Sequence, residues 1–178
     1  IIQRNSGAVY VKLSEELAAQ GVIFTDLQTA VKEHADLVKA HLNTVIKAEE
    51  NSLSALHAAL WNGGVFAYVP KNVELNVPLQ AVFLTDDATA TFAPHVLLIA
   101  ENHSSVTYVD NYVSADLAAP VLHNGAVEVV ANAGAKVRYA TVHQFGEQVT
   151  DISIRRATLG NDAAIEWIVG EMNNGNTA

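Results

Sequence analysis

The sequence predicts a mainly β protein with an α-helical N-terminal segment, whose β part is a solenoid built from stacked coils. Apolar residues recur at helical spacing before residue 62 and alternate at strand spacing after Gly64. The strand region also carries a faint internal repeat of about thirty residues, a period typical of solenoids. We therefore expect two regions, a helical or mixed segment over residues 1–62 and an incomplete solenoid core over residues 63–178.

The first elements are predicted to be short. Residues 8–13, AVYVKL, alternate like a brief strand. Ser14 can cap a helix of one or two turns, and Gly21 can end that helix in a left-handed conformation. Residues 22–24 then form a second extended piece.

Two further helical stretches complete the N-terminal segment. Thr25 or Asp26 can cap the first, and a break near residues 34–36 would divide it in two. Asn51 or Ser52 can cap the second. Its apolar positions share one face, which we expect to bury against the strand region: Leu53, Leu56, His57, Leu60 and Trp61. His57 is predicted to be a satisfied core histidine rather than a ligand, because one imidazole alone makes no metal site.

The change from helix to strand falls at residues 62–64, NGG. Glycine holds a positive φ without a Cβ penalty, so this run can end a helix and start an extended segment. The β-branched and aromatic residues that follow at 65–69 favour a half-buried strand.

The internal repeat predicts how the strands stack. Residues 95–108, HVLLIAENHSSVTY, can be laid over residues 126–139, AVEVVANAGAKVRY, and a looser third copy spans residues 157–167. Each copy is a strand, a polar turn and a second strand, which cannot bury its own apolar face and must stack on its neighbours. The repeat predicts one ladder of aliphatic and one of aromatic side chains: Val106, Val137 and Ile165, and Tyr108, Tyr139 and Trp167. A β-sandwich is the competing interpretation.

Composition excludes several classes of function. The chain has 10 basic and 19 acidic residues, a formal charge of −9 and no basic cluster, which argues against nucleic-acid and membrane-surface partners. It has no cysteine, and no apolar run reaches the roughly 18–20 residues of a membrane span. It begins without methionine and stops after a strand-like run, so we expect a piece of a longer protein, truncated at both ends.

One run carries a resemblance to a known family. Residues 56–80, LHAALWNGGVFAYVPKNVELNVPLQ, resemble the signature of the SufB/SufD family, the scaffold subunits of the SUF iron-sulfur cluster assembly machinery. Residues 12–24, 122–130, 137–142 and 167–177 also resemble it. The resemblance implies a right-handed parallel β-helix core preceded by a helical segment.

The resemblance favours the SufD-like side of the family. Tyr112 stands where SufB-like members carry a functional cysteine, and a phenol cannot accept sulfane sulfur as a thiolate does. His143 and Phe145 stand where Gln and Trp are usual, Leu84 replaces an Arg, and Arg155 keeps only the charge of a Lys. By family position, Tyr112, His143 and Arg155 are weak candidates for site residues.

The resemblance also implies a role and partners. We expect a non-enzymatic, cytoplasmic scaffold subunit that acts with SufB-like and SufC-like subunits, the latter an ATPase. The piece would lack the histidine near the end of the β-helix and the C-terminal docking domain. It would bind no cofactor itself, the iron-sulfur cluster and ATP being handled through the partners. A homodimer through the β-helix is a further expectation, because exposed end coils are open strand edges.

Two other interpretations stay open. A carbohydrate-active β-helix enzyme would need paired carboxylates on one flank, and acidic residues stand at Asp86, Asp87, Asp110 and Asp116. A generic β-rich interaction domain is the third hypothesis. Seven histidines show no helical metal-site spacing, although stacked coils could bring His123 to Glu128 or His143. We predict no catalytic, cofactor or metal site.

Overall fold

The computed structural model describes all 178 residues and contains four α-helices and fourteen strands. The helices are α1 (Glu15–Ala19), α2 (Leu27–Glu33), α3 (Ala35–His41) and α4 (Ser52–Leu60), with a 3₁₀ turn at Ala48–Glu50. The strands are β1 (Ile2–Arg4), β2 (Gly7–Tyr10), β3 (Ile23–Asp26), β4 (Gly64–Val69), β5 (Leu79–Thr85), β6 (His95–Ala100), β7 (Ser105–Ser114), β8 (Val121–His123), β9 (Ala126–Ala131), β10 (Lys136–Gln144), β11 (Val149–Asp151), β12 (Ile154–Leu159), β13 (Ala164–Glu171) and β14 (Asn176–Thr177). None of the four α-helices could span a membrane.

Strands β4 to β14 wind as four stacked coils. Coil 1 contains β4 and β5, coil 2 contains β6 to β8, coil 3 contains β9 to β11, and coil 4 contains β12 to β14. Each strand pairs in parallel with its equivalent in the next coil, which gives three sheets along the stack. The first sheet runs β12-β9-β6-β4-β3, the second β13-β10-β7-β5-β1-β2, and the third β14-β11-β8. The predicted β-helix is confirmed, and the sandwich interpretation is wrong.

The register between coils confirms the repeat. His95 pairs with Ala126, Val106 with Val137, and Val137 with Ile165. The aromatic ladder is stacked as predicted, with ring centroids 4.9 Å apart for Tyr108 and Tyr139 and 5.1 Å apart for Tyr139 and Trp167. Both ladders contact the same apolar interior.

Alternation along each strand divides the side chains between the interior and an outer face. On β9, Val127 and Val129 point into the core, and Glu128 points to the opposite face. Strand β6 is buried along its whole length, because its outer residues Leu97 and Ile99 are covered by α2 and α3. The first sheet therefore carries the N-terminal helices on its outside.

The N-terminal segment is joined to the coils by strands. β1 pairs in parallel with β5, and β3 pairs antiparallel with β4. Asp26 caps α2 by accepting from the amide of Thr29 at 2.9 Å, and the helix breaks at His34 as predicted. The division at residue 62 stays a prediction.

Helix α4 contradicts one expectation. Its leucines were expected to bury, yet Leu53 and Leu56 are each 37% exposed and Leu60 is 50% exposed. The helix instead buries Ser54 and His57. Polar contacts decide its orientation, because both ring nitrogens of His57 are hydrogen-bonded beneath it.

Candidate functional site

A polar cluster lies inside the coils, within a core that is mostly apolar. We call it the interior cluster: Tyr112 on β7, His123 on β8, His143 on β10, Asp151 on β11 and Arg155 on β12. The first four are buried, and the Arg155 side chain is 17% exposed. Buried ionisable groups with specific partners are typical of functional sites.

Asp151 joins the two histidines. Its Oδ1 lies 2.7 Å from His123 Nδ1, and its Oδ2 lies 2.5 Å from His143 Nδ1. The hydroxyl of Ser153 donates to Oδ1 at 2.6 Å. Burial acts to raise the pKa of Asp151, but the hydrogen bonds from His123 and His143 outweigh it and hold that pKa well below its usual value. Asp151 is therefore an ionised carboxylate enclosed by donors.

Arg155 fixes the tautomer of His143. Arg155 Nη2 lies 2.8 Å from His143 Nε2 and donates to it, because guanidinium has no acceptor. His143 Nδ1 must then carry the ring proton and donate to Asp151. Arg155 also donates to Glu171 Oε1 at 3.1 Å, and Glu171 Oε2 is 3.4 Å from His143 Nδ1.

His123 keeps one nitrogen without a partner. Burial lowers the pKa of His123, so the ring is neutral and its Nδ1 proton is donated to Asp151. The lone pair on Nε2 is buried and has no hydrogen bond. The ring packs between Phe92 and Phe145, with centroids 4.5 Å and 4.9 Å away. An unpaired buried acceptor requires an explanation, because most such atoms in proteins are paired.

Tyr112 forms the aromatic wall of the interior cluster. Its ring stacks on Phe83 with centroids 4.4 Å apart and lies 4.6 Å from the ring of His143. Burial raises the pKa of Tyr112 well above its usual value, so the phenol stays protonated. The three residues predicted from family position, Tyr112, His143 and Arg155, therefore meet at one place. Leu84 does not join them, because it follows the inward-facing Phe83 and lies half-buried on the other face of β5.

A second polar group lies deeper in the interior. The hydroxyl of Tyr139 donates to Asp110 Oδ2 at 2.5 Å, and burial raises the pKa of Asp110 to about 6. Asp110 Oδ1 and the hydroxyl of Tyr108 have no hydrogen bond. Asp110 lies in the middle of β7 and faces inward.

The outer face of the first sheet carries another chain of buried polar groups, which we call the outer-face triad. His57 Nδ1 lies 2.7 Å from the carbonyl of Asn124, His57 Nε2 lies 2.9 Å from His95 Nδ1, and His95 Nε2 lies 2.9 Å from Glu128 Oε2. Glu128 also accepts three backbone amides of the loop before α4, those of Asn43, Val45 and Ile46. The prediction that His57 is a satisfied core histidine is confirmed.

Each hydrogen bond of the outer-face triad needs one proton. Its two ends face a carbonyl and a carboxylate, and the central contact joins two ring nitrogens, so three protons satisfy all three contacts. Burial and His95 lower the pKa of His57 to about 4, so His57 is neutral. Burial acts to raise the pKa of Glu128, but hydrogen bonds from His95 and the backbone lower it. Glu128 is therefore a carboxylate, and the outer-face triad anchors α4 to the coils through its hydrogen bonds.

Two family models match the chain. One is described as "SUF system FeS cluster assembly, SufBD core domain" and matches residues 83–178. The other is described as "SufBD protein N-terminal region" and matches residues 4–81. The chain belongs to the SufBD family. The resemblance stated from the sequence is confirmed.

Relatives within the SufBD family show whether the chain is more similar to SufB or to SufD. The chain is 44% identical to the iron-sulfur cluster assembly protein SufD of Bacillus subtilis over 178 residues, which are 99% of the chain and 41% of that protein. It is 34% identical to SufB of the same species over 170 residues, which are 96% of the chain and 37% of that protein. The same figures hold for an iron-sulfur cluster assembly SufBD family protein of Staphylococcus saprophyticus. The chain is nearer to SufD, and it spans about two fifths of the length of these relatives.

The geometry gives no support to a carbohydrate-active enzyme. Asp86 is ion-paired with Arg4 at 2.6 Å, and Asp87 accepts hydrogen bonds from Thr89. Asp110 is enclosed in the interior. The two-carboxylate arrangement that glycoside hydrolysis requires is not formed on a flank by these residues of the SufBD coils.

Sequence reasoning found part of the interior cluster and missed the rest. The suggested meeting of His123 and His143 is correct, but Glu128 lies on the outer face and cannot join them. Asp151, which joins the two rings, was not singled out. The alternation of Val149, Thr150 and Asp151 in β11 was the available signal, because it places Asp151 on the same face as the buried Val149.

Proposed function

We propose that this chain is part of a SufD-like scaffold subunit in iron-sulfur cluster assembly. The observation that carries the proposal is its 44% identity, along nearly the whole chain, with a protein named for that process. The alignment covers both the N-terminal segment and the coils, so the common part is the architecture rather than a short motif. A generic β-rich interaction domain would not require such similarity.

The interior cluster supports a SufD-like rather than a SufB-like role. Sulfur transfer requires a thiolate nucleophile, and the chain contains no cysteine. Tyr112 stands where SufB-like members carry a functional cysteine, and its phenol is buried and protonated. We infer that these residues do not receive sulfur, and that thiolate ligands for the cluster come from other polypeptide segments.

The proposal includes partners and a compartment. The subunit would act beside a SufB-like subunit and a SufC-like ATPase in the cytoplasm, with the cluster as cargo and ATP hydrolysed by the partner. It would be a scaffold without catalytic residues or a cofactor of its own. A homodimer through the β-helix stays a prediction, which the mass of the purified protein in solution would test.

Complementation tests the proposal. The full-length gene that contains this chain would be expressed in Bacillus subtilis strains depleted of SufD or of SufB. We expect growth to return in the first strain and not in the second. Rescue of the SufB-depleted strain would contradict the SufD-like assignment.

Affinity purification tests the partners independently. Tagged full-length protein should recover the SufB-like and SufC-like subunits of its own organism in a stoichiometric complex. A matched control is the same protein with Gly64→Val, in which the first coil strand is disrupted and recovery should be lost. Purification of folded protein without any ATPase would contradict the proposed role.

A further inference from the structure

We propose that His123, His143 and Asp151 form a binding site for a first-row divalent transition-metal ion such as Fe²⁺, Co²⁺ or Zn²⁺. Each residue offers one ligand atom, and these atoms lie within 4.8 Å of one another in a buried group. Two imidazoles and one carboxylate form a ligand set typical of such ions, whereas Mg²⁺ and Ca²⁺ prefer oxygen ligands alone. The inference does not depend on the scaffold role.

The present contacts are close to those of a coordination sphere. The Nδ1 atoms of His123 and His143 lie 2.7 Å and 2.5 Å from the two oxygens of Asp151. Metal–ligand bonds of about 2.0–2.2 Å place neighbouring ligand atoms roughly 3.0–3.4 Å apart. Each gap must therefore widen by less than about 1 Å, which small rotations of the side chains supply.

Further oxygen atoms surround the same point. Glu171 Oε2 lies 3.4 Å from His143 Nδ1, and Ser153 Oγ lies 3.3 Å from His123 Nδ1. These atoms can fill a fourth and a fifth position beside the two imidazoles and Asp151. Glu171 is 30% exposed through its side chain, so the site can be reached from that side.

The free nitrogen of His123 allows the Nδ1 atom of the same ring to bind an ion. His123 Nε2 is a buried acceptor without a partner, so it can take up the ring proton when Nδ1 binds the ion. His123 lines a narrow cleft together with Tyr112, Gly125 and Arg155. A Cβ at Gly125 would lie 2.8 Å from His123 Cε1, so the glycine leaves the ring free to turn. The protein alone therefore does not satisfy this imidazole.

Arg155 opposes binding of the ion, so its removal should make binding tighter. Its guanidinium donates to His143 Nε2 and so holds the ring proton on Nδ1, the atom that would bind the metal. Binding through both Nδ1 atoms requires the ring proton of His143, and likewise that of His123, to move from Nδ1 to Nε2, and Arg155 to turn from His143 toward Glu171. No proton is released, because neutral imidazole keeps one N–H in either tautomer. The positive charge of Arg155 also repels the ion.

The experiment titrates the purified chain with Co²⁺ and with Zn²⁺. We expect one equivalent of Co²⁺ to give saturable d–d absorption bands and one equivalent of Zn²⁺ to raise the melting temperature. Long-range ¹H–¹⁵N spectra with Zn²⁺ should show the ring protons of His123 and His143 moving from Nδ1 to Nε2. Absence of saturable binding below roughly millimolar metal would overturn the proposal.

Three variants identify the site. Asp151→Asn should lose the bands, and Arg155→Gln should bind at least about ten-fold more tightly because a neutral amide replaces the opposing cation. His103→Asn is the matched control, since His103 is an exposed turn histidine. The affinity of this variant for metal should not change. If Asp151→Asn does not fold, Arg155→Gln decides alone, and an unchanged or weaker affinity in it overturns the proposal.

Discussion

At the scale of single residues, His57 is the side chain whose protonation is coupled most clearly to folding. Burial and His95 lower its pKa to about 4, whereas a histidine in an unfolded chain titrates near about 6.5. Between these values the unfolded chain binds more protons than the folded chain. This group therefore contributes a free energy of unfolding that decreases as the pH falls from about 6.5 toward 4.

Replacing His57 by Gln tests this coupling. At pH 7 we expect His57→Gln to lower the free energy of unfolding by about 1–3 kcal/mol, because the carbonyl of Asn124 and the ring of His95 lose their partner. At pH 5 the difference should shrink by roughly 1–2 kcal/mol, because glutamine does not titrate. Urea denaturation at both pH values measures it, with His103→Asn as the control. A difference independent of pH would show that His57 is not neutral in the folded chain.

For Asp110 the pH dependence of the free energy of unfolding has the opposite sign to that of His57. Burial raises its pKa to about 6, so its contribution to stability is greatest below about pH 4 and is lost as the pH rises through about 6. Tyr139→Phe removes the hydroxyl that donates to this carboxylate. We expect the free energy of unfolding to fall by about 2–3 kcal/mol at pH 7 and by less at pH 5, where Asp110 is mostly protonated. Tyr10→Phe, at an exposed tyrosine, is the control and should leave the free energy of unfolding unchanged. If Tyr139→Phe lowers that free energy equally at both pH values, the raised pKa of Asp110 is refuted.

The alternation that places Asp110 inside was visible in the sequence. Tyr108, Asp110 and Tyr112 stand two residues apart in the run VTYVDNYV. Tyr108 was predicted to lie in the aromatic ladder, and Tyr112 was a candidate site residue. Period two requires all three side chains to face the same way. Residue type alone points the other way, because acidic residues are usually exposed.

At the scale of elements, the start of β4 depends on one glycine. Gly64 has φ of 116°, and a Cβ there would lie 1.9 Å from the carbonyl oxygen of His95 in the next coil. The first sheet can therefore close at this point only with glycine. Its amide also donates to Gln3 Oε1 at 2.7 Å, which ties β1 to the same place.

Substitution of Gly64 should therefore lower the free energy of unfolding far more than the same substitution at a glycine with open space around it. We expect Gly64→Ala to lower the free energy of unfolding by about 3 kcal/mol or more, because both the backbone conformation and the approach of β6 oppose it. Gly170→Ala in β13 is the matched control, since its nearest neighbour would be 3.7 Å away and the change should stay within about 1 kcal/mol. Thermal unfolding of both variants provides the comparison, and similar melting temperatures would contradict the packing described for Gly64.

The helix α4 shows what a periodic pattern cannot determine. The sequence predicted a helix with Asn51 or Ser52 as its cap, and Asn51 is the cap, since it accepts from the amides of Leu53 and Ser54. Helical spacing did not determine which side faces the coils. The hydrogen bonds of His57 to Asn124 and His95 join residues 67 and 38 positions apart, so no local pattern contains them.

At the scale of the whole molecule, the repeat predicted the fold but not the sites. Stacking equivalent strands follows from a period in the sequence, because each coil needs the next to bury its apolar face. The interior cluster joins residues from different sheets, and the hydrogen bonds of Asp151 span 28 and 8 positions. Such contacts depend on how each coil turns its corners, which a period does not specify.

The stack also predicts how stability is distributed along the chain. Each coil is stabilised mainly by its neighbours, so coils covered on both sides should open less often than a coil covered on one side. Strands β6 and β9, in coils 2 and 3, are almost wholly buried, whereas β12 and β13 of coil 4 are mostly half-buried or exposed.

Hydrogen exchange measured along the chain tests this distribution. We expect amides of His95–Ala100 and Ala126–Ala131 to exchange slowest and those of Ile154–Leu159 at least about ten-fold faster, since an opening free energy lower by about 1.4 kcal/mol changes the rate ten-fold. Val106→Ala should accelerate exchange in coils 1 to 3 together, because its side chain lies in the interior that these coils share. Ile165→Ala, in the same ladder, should affect coil 4 and leave coil 1 unchanged. Uniform acceleration by both variants would mean that the chain opens only as one cooperative unit, contrary to nearest-neighbour stacking.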